Sequence, residues 1–161
     1  MSKLILLLGS NLGVRNRILE KAINAINESI GFIDKTSSLY QTEPWGFDSK
    51  DLFLNQVVSV ETTLNPMEVL VKVQEIENRL GRVRTANRYS SRTIDIDILF
   101  YDNLTVDMKE LQIPHPRLHE RRFTLIPLLE VVGGFFHPVL NQRIDVLAEN
   151  CSDKSRVELL A

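Results

Sequence analysis

The stretch from Asn65 to Gly81 carries its own start and stop, and it constrains the fold more than any other part of the chain. Asn65 suits an N-cap, Pro66 the first helical position, and Glu68 the third, where its carboxylate can reach back to the cap. Val69, Val73, Ile76 and Leu80 recur at helical spacing, and Gly81 follows where a left-handed C′ residue is needed. A helix of that length with one apolar stripe must pack on something. Flanking segments with a period of two supply it. Leu54 to Thr63 alternates and is rich in valine and threonine, and Thr93 to Tyr101 alternates with Ile94, Ile96 and Ile98 on one side and Asp95 and Asp97 on the other.

Upstream, Lys3 to Leu8 reads as a buried strand closed by Gly9-Ser10-Asn11. A helix follows with Ile18, Ala22, Ala25 and Ile26 on one face, Gly31 ends it, and Phe32 to Gln41 reads as one strand. Thr42 to Asp51, with Pro44, Trp45, Gly46 and Phe47, reads as an exposed loop. The order to Tyr101 is β-α-β-β-α-β, that of a ferredoxin-like α+β sandwich with an antiparallel sheet. A C-terminal extension follows, with an extended Ile113-Pro114-His115-Pro116 and a short helix from Phe123 to Val132 interrupted near Pro127.

At 161 residues, 43% apolar and 25% charged, the chain reads as one soluble domain spanning 1–161. A net charge of −2 gives no global field towards nucleic acid or anionic lipid. The single cysteine, Cys151, makes no internal disulfide and no zinc site, and Leu4 to Leu8 is too short for a signal core or a membrane span. The expectation is a cytoplasmic protein without nucleic-acid or membrane partners.

Charge placement says more than the sum. Of 12 arginines, 8 lie between Arg79 and Arg122, and the run Arg79, Arg82, Arg84, Arg88, Arg92 contains no acid. A planar guanidinium clamps phosphate oxygens bidentately. Directly after comes Asp95-Ile-Asp97, whose carboxylates share a sheet face and can bridge two Mg²⁺ ions, with phosphates and water completing the shells. Alone, either motif is ordinary surface chemistry; their adjacency favours a metal–phosphate site. Gln74 and Glu77 share a helix face, which by spacing alone is plain helix surface. His115 between two prolines reads equally as a phosphate donor or a capping group, whereas His119 and His137 read as structural. Trp45, Phe47 and Phe53, with Asn55 behind them, suit a flat heterocycle, though rings in such places more often pack the hairpin. No P-loop, dinucleotide turn or nucleophile elbow is present. The rival reading is a ferredoxin-like module that binds RNA or a nucleotide without chemistry; negative net charge and paired acids weigh against it.

These strings together resemble the 6-hydroxymethyl-7,8-dihydropterin pyrophosphokinase family of folate biosynthesis. The resemblance runs through Leu8-Gly9-Ser10-Asn11-Leu12, Phe53-Leu54-Asn55, Gln74-x-x-Glu77, Gly81-Arg82-Val83-Arg84, Arg92-Thr93-Ile94-Asp95-Ile96-Asp97-Ile98, Pro114-His115 and Arg121-x-Phe123. It implies transfer of the β,γ-pyrophosphoryl group of ATP to the pterin hydroxymethyl oxygen, releasing AMP. It further implies two Mg²⁺ on Asp95 and Asp97, with Arg82 and Arg92 stabilising the transferred charge. Gln74, Glu77, Arg84, Arg88, Arg92, Ile98, His115 and Arg121 match positions around ATP; Thr42, Phe53, Asn55 and Phe123 match the pterin pocket, with the two rings sandwiching the heterocycle. Where the family usually has Trp-Gly-Pro before the catalytic arginine, this chain has Tyr89-Ser90-Ser91. A monomer is expected.

Overall fold

A computed structural model describes residues 1–10, 15–42, 53–81 and 94–160. β1 (Ser2–Ser10) lies inside the sheet, which is why Leu4 to Leu8 is apolar without alternation: both of its faces are covered. α1 (Arg15–Ser29) turns Leu19, Ala22, Ala25 and Ile26 onto that sheet. The segment expected as one strand from Phe32 to Gln41 is instead two, β2 (Gly31–Thr36) and β3 (Tyr40–Thr42), both antiparallel to β4 (Phe53–Thr62). Ser37 causes the break. Its N–H donates to the Val57 carbonyl at 2.8 Å while its hydroxyl accepts the Val57 N–H at 2.9 Å, so a side chain replaces the backbone in the ladder.

α2 (Pro66–Arg79) begins with a full capping box: Asn65 Oδ1 accepts the Glu68 N–H at 2.9 Å, and Glu68 Oε1 accepts the Asn65 N–H at 3.0 Å. Gly81, at φ 101°, ends it in a conformation that an L side chain resists. β5 (Asp95–Tyr101) then pairs antiparallel with β1. The sheet order is β5-β1-β4-β3-β8, with β2 also on β4. That is the strand arrangement of the ferredoxin-like sandwich expected from the sequence.

Leu4, Leu6, Leu8, Val58, Val60, Ile94, Ile96 and Ile98 face α1 and α2. On the opposite face, Ile5, Leu7, Val57, Leu99 and Phe100 meet α3 (Arg122–Val132) and α4 (Ile144–Glu149), so the C-terminal extension builds a third layer. A bulge in β5 opposite Ile5 and Leu6 puts Leu99 and Phe100 on this same face. A small hairpin, β6 (Val106–Asp107) with β7 (Gln112–Ile113), and a 3₁₀ turn (Leu118–Glu120) lead into α3. α3 runs without a break through Pro127, contrary to the expected interruption. Burial of Leu125, Leu128 and Val131 against the sheet outweighs the one backbone bond that proline cannot donate. β8 (Val157–Leu159) closes the far edge against β3. No helix among the described residues is long and apolar enough to cross a membrane.

Candidate active site

Two rows of register partners cross the sheet on the α3 side. One runs Asp97–Leu7–Val57 and the next Asp95–Gly9–Asn55–Tyr40. Along each strand the same face therefore changes from apolar to polar within two residues. Asp95 and Asp97 are half-buried, on the side away from Ile94, Ile96 and Ile98, as their spacing requires.

At the other end of the second row, Asn55 Nδ2 donates to Thr42 Oγ1 at 2.9 Å, and both side chains are buried. A buried amide needs its partners satisfied, and this bond fixes which way it points, leaving Oδ1 towards Gly9. A Cβ at position 9 would sit 3.1 Å from that oxygen, so glycine is what lets β1 pass the amide. Phe53 pairs with Thr42 and shares a strand face with Asn55 by the period of two. On α3, which packs on the same sheet face, Phe123 in the first turn joins the second core, and the Arg121 guanidinium carbon lies 5.6 Å from its ring centroid. Burial and the neighbouring Arg117 hold Arg121 below its ordinary pKa, with the charges of Asp97 and Glu120 opposing them.

His115 sits where β5 bulges. Its N–H donates to the Leu99 carbonyl at 3.0 Å, and its Nδ1 accepts the Arg117 N–H at 3.2 Å. Burial, then the charges of Arg121 and Arg117, push its pKa down to about 4, so it is neutral at pH 7 with its proton on Nε2. With Asp97, Ile96, Ile98, Leu70 and Val73 it borders an open cleft of about 360 Å³ between α2 and the segment after β6. Ile98 thus serves both the apolar core and the cleft wall.

Glu77 corrects the reading from spacing. It is buried rather than on plain helix surface, and its Oε2 accepts the Ile96 N–H at 3.0 Å. β5 is an edge strand, and this carboxylate takes the outward N–H lying between the two aspartates. Gln74, three residues earlier, stays exposed.

Residues 5–133 match the family described as 7,8-dihydro-6-hydroxymethylpterin-pyrophosphokinase. The chain belongs to this family. It is 42% identical over 125 residues to the 2-amino-4-hydroxy-6-hydroxymethyldihydropteridine pyrophosphokinase of Bacillus subtilis, covering 77% of this chain and 74% of that one. The protein of the same name from Aquifex aeolicus is 39% identical over 139 residues, 86% of each. In fold it is similar to the crystal structure of Plasmodium falciparum HPPK-DHPS, with a TM-score of 0.78 at 20% identity. That match covers 92% of this chain but only 44% of the other. As a member of the pyrophosphokinase family the chain is an enzyme, a transferase.

Within this family frame, the described structure brings Thr42, Phe53 and Asn55 together on β3 and β4, and sets Asp97 and His115 on one cleft. Arg82, Arg84, Arg88 and Arg92 lie outside the described residues, as do Trp45, Phe47 and Tyr89-Ser90-Ser91. His137, taken as structural, accepts the Val139 and Leu140 N–H groups on Nδ1 and packs edge-on to Phe100. Sequence reasoning gave Gly9 no role at the site. Its signal was available, since glycine within a strand marks a close approach.

Proposed function

We propose that this chain transfers the β,γ-pyrophosphoryl group of ATP to the hydroxymethyl oxygen of 6-hydroxymethyl-7,8-dihydropterin, giving the pterin diphosphate and AMP. The observation that carries this reading is the row Asp95–Gly9–Asn55, bonded on to Thr42. It puts the Asp95 carboxylate and the buried Asn55 amide on one sheet face with β1 between them, which supports a carboxylate site beside a group able to read a heterocycle edge. Family membership supplies the reaction class.

The donor set fits magnesium. Two hard carboxylates share one strand face, and among the described residues no three His, Cys, Asp or Glu side chains gather that would hold a metal unaided. Magnesium is characteristically held by one or two carboxylates while substrate phosphates and water fill the remaining positions. Asp95 and Asp97 would hold two Mg²⁺ ions, which when bound neutralise phosphate charge and bring the ATP oxygens and the acceptor hydroxyl together.

The chain's own residues do the rest by positioning and electrostatics, which dominate phosphoryl transfer. Neutral His115 presents Nε2–H to a phosphate oxygen, and Arg121 adds a fixed cation near Asp97. Arg82 and Arg92 are assigned the developing charge, and Arg84 and Arg88 the ATP phosphates, by resemblance. Gln74, Glu77 and Ile98 are assigned to the ATP side, Glu77 also through its hold on β5. Asn55 and Thr42 read the polar edge of the pterin while Phe53 and Phe123 take its faces. The chain is proposed to act as a monomer in the cytoplasm, with 1–161 as one unit.

A product assay with ATP, Mg²⁺ and the hydroxymethyl dihydropterin tests this. AMP should rise in step with the pterin diphosphate. ADP instead would make the enzyme a monophosphoryl kinase and overturn the reading. Asp97→Ala should remove turnover while the fold, followed by circular dichroism, is kept; full activity of that variant at saturating Mg²⁺ would defeat the metal assignment.

A further inference from the structure

The family match stops at residue 133, yet the chain beyond it returns to the site at two places. After α4, Cys151 is buried in the second core, which pins the segment there. Asp153 follows, and its Oδ2 accepts the Arg122 N–H at 3.0 Å. That donor is the first N–H of α3, and the residue at its N-cap position, Arg121, makes no side-chain capping bond. The cap is therefore supplied from 31 residues away. Asp153 is itself held, its Oδ1 accepting the Ser155 N–H at 2.9 Å and the Ser155 hydroxyl. Burial works against its ionised form, but these hydrogen bonds outweigh it and keep the carboxyl below its ordinary pKa, so it is charged at neutral pH.

Four residues on, β8 pairs with β3: Val157 lies opposite Thr42, Glu158 opposite Gln41 and Leu159 opposite Tyr40, and the Leu160 N–H donates to the Leu39 carbonyl at 3.0 Å. β3 is only three residues long and carries Thr42. A third contact joins the same parts, since Glu130 of α3 accepts from the Ser38 N–H and hydroxyl and from the Tyr40 hydroxyl.

We propose that residues 151–160 form a strap that positions the two walls of the pterin pocket, with Asp153 setting Phe123 through the first turn of α3 and β8 setting Thr42 through β3. This rests on the pocket reading given above. Of the described positions assigned to ATP, Arg121 adjoins Arg122 and shares this anchorage, whereas Gln74, Glu77, Ile98 and His115 lie on α2, β5 and the segment after β7, which the strap's described bonds do not reach. The strap should therefore matter more for the pterin than for ATP.

Isothermal titration on the full chain separates these roles. The probes are a non-hydrolysable ATP analogue with Mg²⁺, then 6-hydroxymethyl-7,8-dihydropterin added to that complex. In Asp153→Ala, a wall competent in about a fifth of molecules weakens pterin binding roughly fivefold. Binding of the ATP analogue should weaken less, by about twofold at most, because only Arg121 of its assigned contacts adjoins the lost bond. Asp153→Asn keeps an acceptor for the Arg122 N–H and should restore most of the pterin affinity. Leu160→Pro removes the bond to Leu39 at the other anchorage and should weaken the pterin without Asp153 being touched. A lowered melting temperature with both affinities unchanged would make Asp153 a plain helix cap and overturn the proposal. Equal weakening of both ligands would overturn its specificity for the pterin wall. Phe123→Ala is the control: if that variant binds the pterin as the parent does, the pocket reading itself fails, and the strap's role falls with it.

Discussion

Glu77→Ala should damage the site from behind. The carboxylate accepts the Ile96 N–H at 3.0 Å, and Ile96 is 5% exposed, so water cannot replace the lost acceptor without opening the edge of the sheet. A buried donor left without a partner costs about 1–3 kcal/mol. In a chain of this size each kcal/mol lowers the melting temperature by roughly 2–4 °C, so a fall of about 4–8 °C is expected for the middle of that range. The functional effect should be larger than the thermal one. Ile96 is flanked by Asp95 and Asp97, and a displacement of about 1 Å in a positioning group can cost on the order of 10²-fold in rate. Glu77→Gln keeps an amide oxygen at the same reach and should retain most of the stability. Thermal melts and steady-state kcat for the three proteins make the test. If Glu77→Ala melts within about 1 °C of the parent and keeps its kcat, the bond is not holding the aspartate strand, and the reasoning fails.

Two further outcomes follow from named contacts. His137, 4% exposed, is pushed down to a pKa of about 4 by burial and then by His119. The unfolded chain takes up a proton near pH 6.5 that the folded one refuses until about pH 4, so stability is full above that window and is lost as pH falls through it. At about 1.4 kcal/mol per pKa unit the loss is about 3 kcal/mol. Urea melts at pH 7.5 and 4.5, compared with those of His137→Asn, should show a steeper fall in the parent; equal falls would refute it. Gly9→Ala places a Cβ 3.1 Å from Asn55 Oδ1 and should turn the amide off Thr42. Losing one such bond, about 1 kcal/mol, weakens pterin binding about fivefold, and an unchanged pterin KM would count against the pocket.

What the sequence disclosed depended on how far each interaction reaches along the chain. α2 was legible in full because its cap, stripe and stop are contained in 17 residues, from Asn65 to Gly81. The aspartate pair was legible because a period of two needs no partner to define it. The break between β2 and β3 was not, since it depends on Ser37 bonding to Val57, 20 residues away. Glu77 was misjudged for the same reason: its partner is a backbone N–H on another strand, and composition says nothing about such bonds. The bond from Asn55 to Thr42 was not legible, and only the family resemblance assigned both to one pocket, because the register of β3 on β4 is set by the whole sheet.

The second face of the sheet explains why stability and chemistry are hard to separate here. β1 sends Ile5 and Leu7 into the core under α3 and then Gly9, two residues on, to the site; β4 sends Val57 and then Asn55; β5 sends Leu99 and then Asp97. In each strand the last core residue adjoins the first site residue. α3 stands over the same boundary, with Leu125 and Leu128 in the core and Phe123 at its edge. Any change that shifts α3 on the sheet must therefore move Phe123 relative to Asn55. The bonds that prevent such a shift, Asp153 to Arg122 and Glu130 to Tyr40 and Ser38, come from outside the site's own residues. Geometry at this site is thus maintained by the third layer, which the ferredoxin-like core does not supply.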